Sequence, residues 1–99
     1  MDLQKEIVST SPELCKYFGV KRLGLFGSVA RGDDSQSSDI DFFAEFEDPD
    51  PENMPERYFG FIEAARKRYH RRVQLLTPRM IRNPFLKRSI EKDLVVVYE

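Results

Sequence analysis

Residues 39–46, Asp-Ile-Asp-Phe-Phe-Ala-Glu-Phe, constrain the fold more than any other stretch of the chain. Side chains alternate across a strand. Ile40, Phe42, Ala44 and Phe46 therefore share one face, and Asp39, Asp41, Phe43 and Glu45 share the other. Aromatic residues on both faces predict a central strand with both sides partly covered. Such a strand needs neighbouring strands and a layer of helix over its apolar face.

The rest of the sequence supplies both. Residues 21–27, Lys-Arg-Leu-Gly-Leu-Phe-Gly, read as a strand, as do 72–76 and 94–98. Leu3, Ile7 and Val8 have helical spacing over a first short helix. A second helix is predicted at once, with Ser11 as N-cap, Pro12 in its first position and Glu13 at the positive helix end. Leu14, Tyr17 and Phe18 supply its apolar face, and Gly19 ends it. A short helical turn is predicted from Ser28 to Arg31, followed by a polar loop over 32–38. Residues 47–55 form an acidic, proline-rich loop. A longer helix runs over 56–69, with Tyr58, Phe61, Ile62, Ala65 and Tyr69 on one stripe. Thr77-Pro78 stops the third strand. Asn83 caps a last helix with Pro84 at its first position, and Phe85, Leu86 and Ile90 are predicted to face inward. The predicted class is α/β in the α+β sense: a mixed sheet with helices packed on it, in a single domain over 1–99.

A chain of 99 residues buries roughly 60–65% of its unfolded surface, so its core is modest. Forty per cent apolar residues, with eight Phe and four Tyr, suffice for one core. The net charge of −1 provides no global basic field for DNA or RNA, which argues against modification of nucleic-acid ends. Residues 33–56 are acidic, whereas 57–92 carry most of the Arg and Lys. This split either orients a partner or an anionic ligand, or forms two solvated surfaces. His70 lies in the basic run 66–72, which reads as a solvated helix end or as a contact for a polyanion or an acidic partner. Asp33 and Asp34 read as solvated loop acids. The single cysteine, Cys15, excludes an internal disulfide and is expected as a buried thiol. With no transmembrane run and no signal-peptide pattern, the expected location is the cytoplasm.

Chemistry concentrates in Gly27 to Asp41, Gly-Ser-Val-Ala-Arg-Gly-Asp-Asp-Ser-Gln-Ser-Ser-Asp-Ile-Asp. Gly27 ends a strand and Ser28 begins a helical turn. A glycine there admits close approach of a ligand, and the free N–H groups of a helix start attract phosphate. The Ser28 hydroxyl adds a donor, and Arg31 follows in the same segment. Asp39 and Asp41 point to one face of their strand. Two converging carboxylates are costly without a cation, and oxygen donors of this kind suit Mg²⁺ with substrate phosphates. Taken singly, Gly-Ser is an ordinary turn and Asp-x-Asp an ordinary strand end; together they form both halves of an Mg–nucleotide site.

Gly27-Ser28, ten intervening residues, then Asp39-Ile40-Asp41 resembles the signature of the DNA polymerase β-like nucleotidyltransferase superfamily. The string 26–32 with 38–41 is similar to its smallest branch, the minimal nucleotidyltransferases, and Gly19–Leu23 and Leu75–Pro78 also look like family segments. The resemblance implies a palm-like fold. It implies Gly27 and Ser28, with Arg31, on the phosphates of an NTP such as ATP, and Asp39 and Asp41 on Mg²⁺. It further implies transfer of a nucleoside monophosphate, AMP first, to a hydroxyl acceptor with loss of pyrophosphate. A partnership with a HEPN-domain protein, in toxin–antitoxin fashion, follows from the same likeness, as homo- or hetero-oligomer.

One position departs from that pattern. The resemblance implies a third carboxylate on the next core strand, just after Val73, and this chain has Gln74 there. Glutamine offers a carbonyl oxygen but no charge and no base. Three readings follow: an enzyme working with two carboxylates, assistance from another acid such as Glu45, or an antitoxin subunit that binds nucleotide and neutralises its partner by contact.

Overall fold

The computed structural model describes residues 2–99. The elements run α1 (Leu3–Phe18), β1 (Val20–Phe26), α2 (Gly27–Arg31), β2 (Ile40–Phe46), α3 (Met54–Tyr69), β3 (Val73–Leu76), a 3₁₀ turn (Pro78–Met80), α4 (Pro84–Asp93) and β4 (Val95–Tyr98). The sheet order is β3-β2-β1-β4. β1 is antiparallel to β2 and to β4, whereas β2 and β3 are parallel. A parallel pair cannot be joined by a tight turn, and α3 makes the required crossover. The class is the mixed α+β sheet expected from the sequence.

β2 is an inner strand, and its alternation is strict. Ile40, Phe42, Ala44 and Phe46 are buried, while Asp41, Phe43 and Glu45 are half-buried. The buried side meets α1 and α3. Phe42 and Phe61 are both fully buried, their rings edge to face at 5.5 Å. Each such ring stabilises the fold by about 1.5–3 kcal/mol through area removed from water. Phe61, Ala65 and Tyr69 form the buried stripe of α3. The hydroxyls of Thr10 and Tyr69 tie α1 to α3 at 2.8 Å. On the opposite face α4 lies across β1, and Leu94 packs where Gly24 has no side chain.

Residues 3–18 form one helix, not the two expected. Asp2 is the N-cap, its carboxylate accepting from the Gln4 N–H at 3.0 Å. Ser11 is an interior residue of α1 and Pro12 lies inside the helix. Ile7, Ser11, Leu14 and Cys15 are the buried positions, at spacing i, i+4, i+7 and i+8. Only a continuous helix buries all four, and that outweighs an interior proline costing about 3 kcal/mol. Gly19 ends α1 as expected, at φ 71° with its N–H bonded to the Cys15 carbonyl.

α4 is capped as expected, the Asn83 side chain accepting from the Phe85 N–H at 2.8 Å. Its inward face differs from expectation. Ile90 is buried, but Phe85 is 73% exposed and Leu86 41%. Only the C-terminal half of α4 docks, near β1 and α2, so its first turn projects from the short sheet. Among the described residues no helix is long and apolar enough to cross a membrane.

Candidate nucleotide and metal site

At the end of β1 the chain turns through Gly27 at φ 74°, a left-handed conformation that disfavours any side chain. α2 begins there without a side-chain cap. The N–H groups of its first turn are thus left for water or a ligand. Gly32, at φ 80°, closes α2 with its N–H on the Ser28 and Val29 carbonyls.

The loop that follows is held by a residue distant in sequence that lies just before β3. The largely buried Arg71 donates to the Asp34 carboxylate at 3.3 Å, the Ser35 carbonyl at 2.7 Å and the Ser38 carbonyl at 3.3 Å. Asp34 is therefore a tethered acid rather than a solvated one; exposed Asp33 pairs with Arg31 at 3.1 Å. Beyond the loop, the Ile40 N–H donates to the Arg72 carbonyl at 2.9 Å, and β2 and β3 zip together from that bond.

Asp41 stands opposite Phe26 on β1 and opposite Gln74 on β3. Its carboxylate lies directly against the Gly27 backbone, where any Cβ would collide with it. The Asp41 carboxyl is pushed above its usual range by burial first and by the charge of Asp39 second; Arg31 opposes the shift. Asp39 is more open and pairs with Arg72 Nε at 3.1 Å. Gly27, Asp39, Asp41 and Gln74 are thus brought to one place, with Ser28 in the adjoining first turn of α2. Arg31 stands at its margin, bound to Asp33 and, at 2.8 Å, to Asp93 at the end of α4.

Among the described residues no group of three or more His, Cys, Asp or Glu gathers to hold a metal ion. The donor set is the Asp39 and Asp41 carboxylates, with Gln74 opposite Asp41 on β3. Hard oxygen donors on one face fit a single Mg²⁺, which would take its other ligands from water and phosphate. Glu45 does not join them. It lies four residues beyond Asp41, roughly 13 Å along the strand, in a loose ion pair with Arg22 at 3.8 Å. A cavity of about 330 Å³ opens on that same face, lined by Arg22, Phe43, Glu45, Lys87, Ile90 and Leu94 among others.

Two residues of the basic run belong to this region and were not singled out from the sequence. Arg71 carries no local signal; its role depends on the return of β3 beside β2. Arg72 did carry one, since it lies two residues before Gln74 and so on the same face of the strand.

The sequence matches the family described as "Nucleotidyltransferase domain" over residues 7–97. The chain belongs to that family. A relative from Methanocaldococcus jannaschii, named "Putative protein adenylyltransferase MJ1379", is 39% identical over 94 residues, covering 94% of this chain and 93% of the relative. A solved structure described as that of a "putative minimal nucleotidyltransferase" superposes with a TM-score of 0.78 at 26% identity, covering 96% of this nucleotidyltransferase chain and 95% of the other. A toxin–antitoxin chain crystallised with AMP-PNP shares the fold, with a TM-score of 0.73 at 17% identity over 92% of this chain and 72% of its own.

Proposed function

We propose that this nucleotidyltransferase moves a nucleoside monophosphate, AMP first, from an NTP to a hydroxyl of a partner protein. The observation that carries the reading is the seating of the Asp41 carboxylate on Gly27, with Asp39 beside it. One glycine thereby places a phosphate-admitting turn against a cation-binding carboxylate. The toxin–antitoxin neighbour and the relatives named for protein adenylylation support ATP as donor and a toxin as partner. A HEPN-domain toxin in the same cytoplasm is the partner proposed.

Each residue then has a task. Gly27 lets the β- and γ-phosphates approach the backbone, and Ser28 donates a hydrogen bond to them. Asp39 and Asp41 would hold Mg²⁺, which supplies neutralisation of the triphosphate charge. Arg31 would reach the phosphates only on leaving both Asp33 and Asp93. The acceptor oxygen attacks the α-phosphorus, the bond to the β-phosphate bridging oxygen breaks, and pyrophosphate departs. Gln74 cannot take the acceptor proton, so that proton passes to water.

Gln74 opposite Asp41 also favours a second reading, an antitoxin subunit that binds nucleotide weakly and neutralises its partner by contact. ATP labelled at the α-phosphate or at the γ-phosphate separates the two. Transfer predicts partner labelled from the α-label only, and none with Asp39→Asn/Asp41→Asn. An intact complex without label from either ATP selects the binding subunit, and label from the γ-phosphate would mean a kinase.

A further inference from the structure

Among the described residues Arg72 makes the one ion pair with the carboxylate pair, through Asp39, and the backbone ladder fixes where its residue stands. An exposed ion pair is ordinarily weak and easily lost. Here a ladder bond holds the two residues close: the Ile40 N–H, one residue from Asp39, donates to the carbonyl of Arg72 itself at 2.9 Å. The next pairs in register are Ile40 with Val73 and Asp41 with Gln74. Strand alternation therefore aims Arg72 and Gln74 at the face carrying Asp39 and Asp41. The guanidinium meets Asp39 at 3.1 Å, yet its side chain remains 80% exposed. It keeps donors free toward anything that occupies the site.

The electrostatic consequence follows from counting charges. Asp39 and Asp41 contribute two negative charges and Arg72 one positive charge, while Gln74 contributes none; Arg31 at the margin is balanced by Asp33 and Asp93. One divalent cation brings this cluster to a single net positive charge. Three carboxylates with two divalent cations reach the same total. A second divalent cation here would face a guanidinium on Asp39 and a neutral amide beside Asp41.

We propose that Arg72 is the second positive charge of this site. It is held by Asp39, it donates to a non-bridging oxygen of the transferred phosphoryl group, and it limits the site to one divalent cation per nucleotide. This rests on the nucleotidyl-transfer reading above. An arginine fork suits phosphate oxygens through paired N–H donors, which a lysine cannot reproduce.

The experiment is a Mn²⁺ titration followed by electron paramagnetic resonance, with α,β-methylene-ATP, which cannot transfer its adenylate. The native chain should bind one Mn²⁺ per analogue. Arg72→Gln should retain the fold by circular dichroism, since the side chain is exposed, and bind the analogue about tenfold more weakly. Arg72→Gln/Gln74→Asp should recover affinity and bind two Mn²⁺. Two Mn²⁺ in the native chain would overturn the proposal. So would an Arg72→Gln variant whose analogue affinity is unchanged or tighter, because Arg72 would then merely compete for Asp39. A native chain that binds neither Mn²⁺ nor the analogue would remove the nucleotidyl-transfer reading, and this inference with it.

Discussion

The Asp41 carboxylate rests on the backbone of Gly27, in the space that a Cβ at position 27 would fill. Gly27→Ala therefore meets two penalties: a side chain at φ 74° and a collision with a proposed metal ligand. Gly32 is the internal control, with φ 80° but open space where a methyl group would sit. Both alanine variants should lose about 1–3 kcal/mol of stability from backbone strain. Only Gly27→Ala should lower nucleotidyl transfer by more than about 100-fold, as loss of electrostatic stabilisation does elsewhere. Denaturant titration and a transfer assay on the two variants check the contrast.

Arg71→Ala should loosen the loop that delivers Asp39. Three acceptors, in Asp34, Ser35 and Ser38, lose their donor, at a cost of about 1–3 kcal/mol. Hydrogen exchange should quicken over 33–38 while α3 stays protected. Unchanged exchange in that loop would mean that Arg71 does not hold it.

Pro12→Ala should stabilise the chain. Pro12 has no N–H for the turn before it, and the adjacent Ser11 hydroxyl is buried without a partner. Restoring the helix bond should add up to about 3 kcal/mol, read as a higher urea midpoint at constant slope. Ser11→Ala should be neutral or stabilising, since it removes an unpaired polar atom.

Cys15 gives a pH signature. Burial pushes its thiol up to about 12 from 9.0. The folded state thus favours the neutral thiol. This contribution to stability is complete below pH 9 and is lost as pH rises toward 12, because the unfolded chain ionises first. Cys15 should also resist alkylation in the folded protein at about pH 8 and react once urea unfolds it. Rapid alkylation of the native chain would contradict its burial.

Much of this architecture was legible locally. The β2 alternation, the Gly19 stop and the Asn83 cap each depend on residues within one turn or strand, and each has its expected role. Ser11-Pro12 misled because cap chemistry is local, whereas the buried stripe from Ile7 to Cys15 gains its energy from the sheet and α3. Phe85 and Leu86 look inward-facing by spacing, but spacing does not state how far along α4 the sheet extends. Arg71 and Arg72 read as a solvated helix end because their partners lie more than thirty residues earlier in the chain. The parallel crossover brings them to the loop and to Asp39. The family resemblance pointed to Gln74 as the position near the carboxylates; its direct pairing with Asp41 needed the register.

The central claim is transfer of a nucleoside monophosphate to a partner protein. Intact-mass spectrometry of the proposed HEPN-type partner tests it most directly, after co-expression with the native chain or with Asp39→Asn/Asp41→Asn. Transfer predicts partner heavier by whole nucleoside monophosphate units with the native chain, and unmodified partner with the double variant. Unmodified partner in both, recovered in a stable complex, would contradict transfer and leave neutralisation by binding.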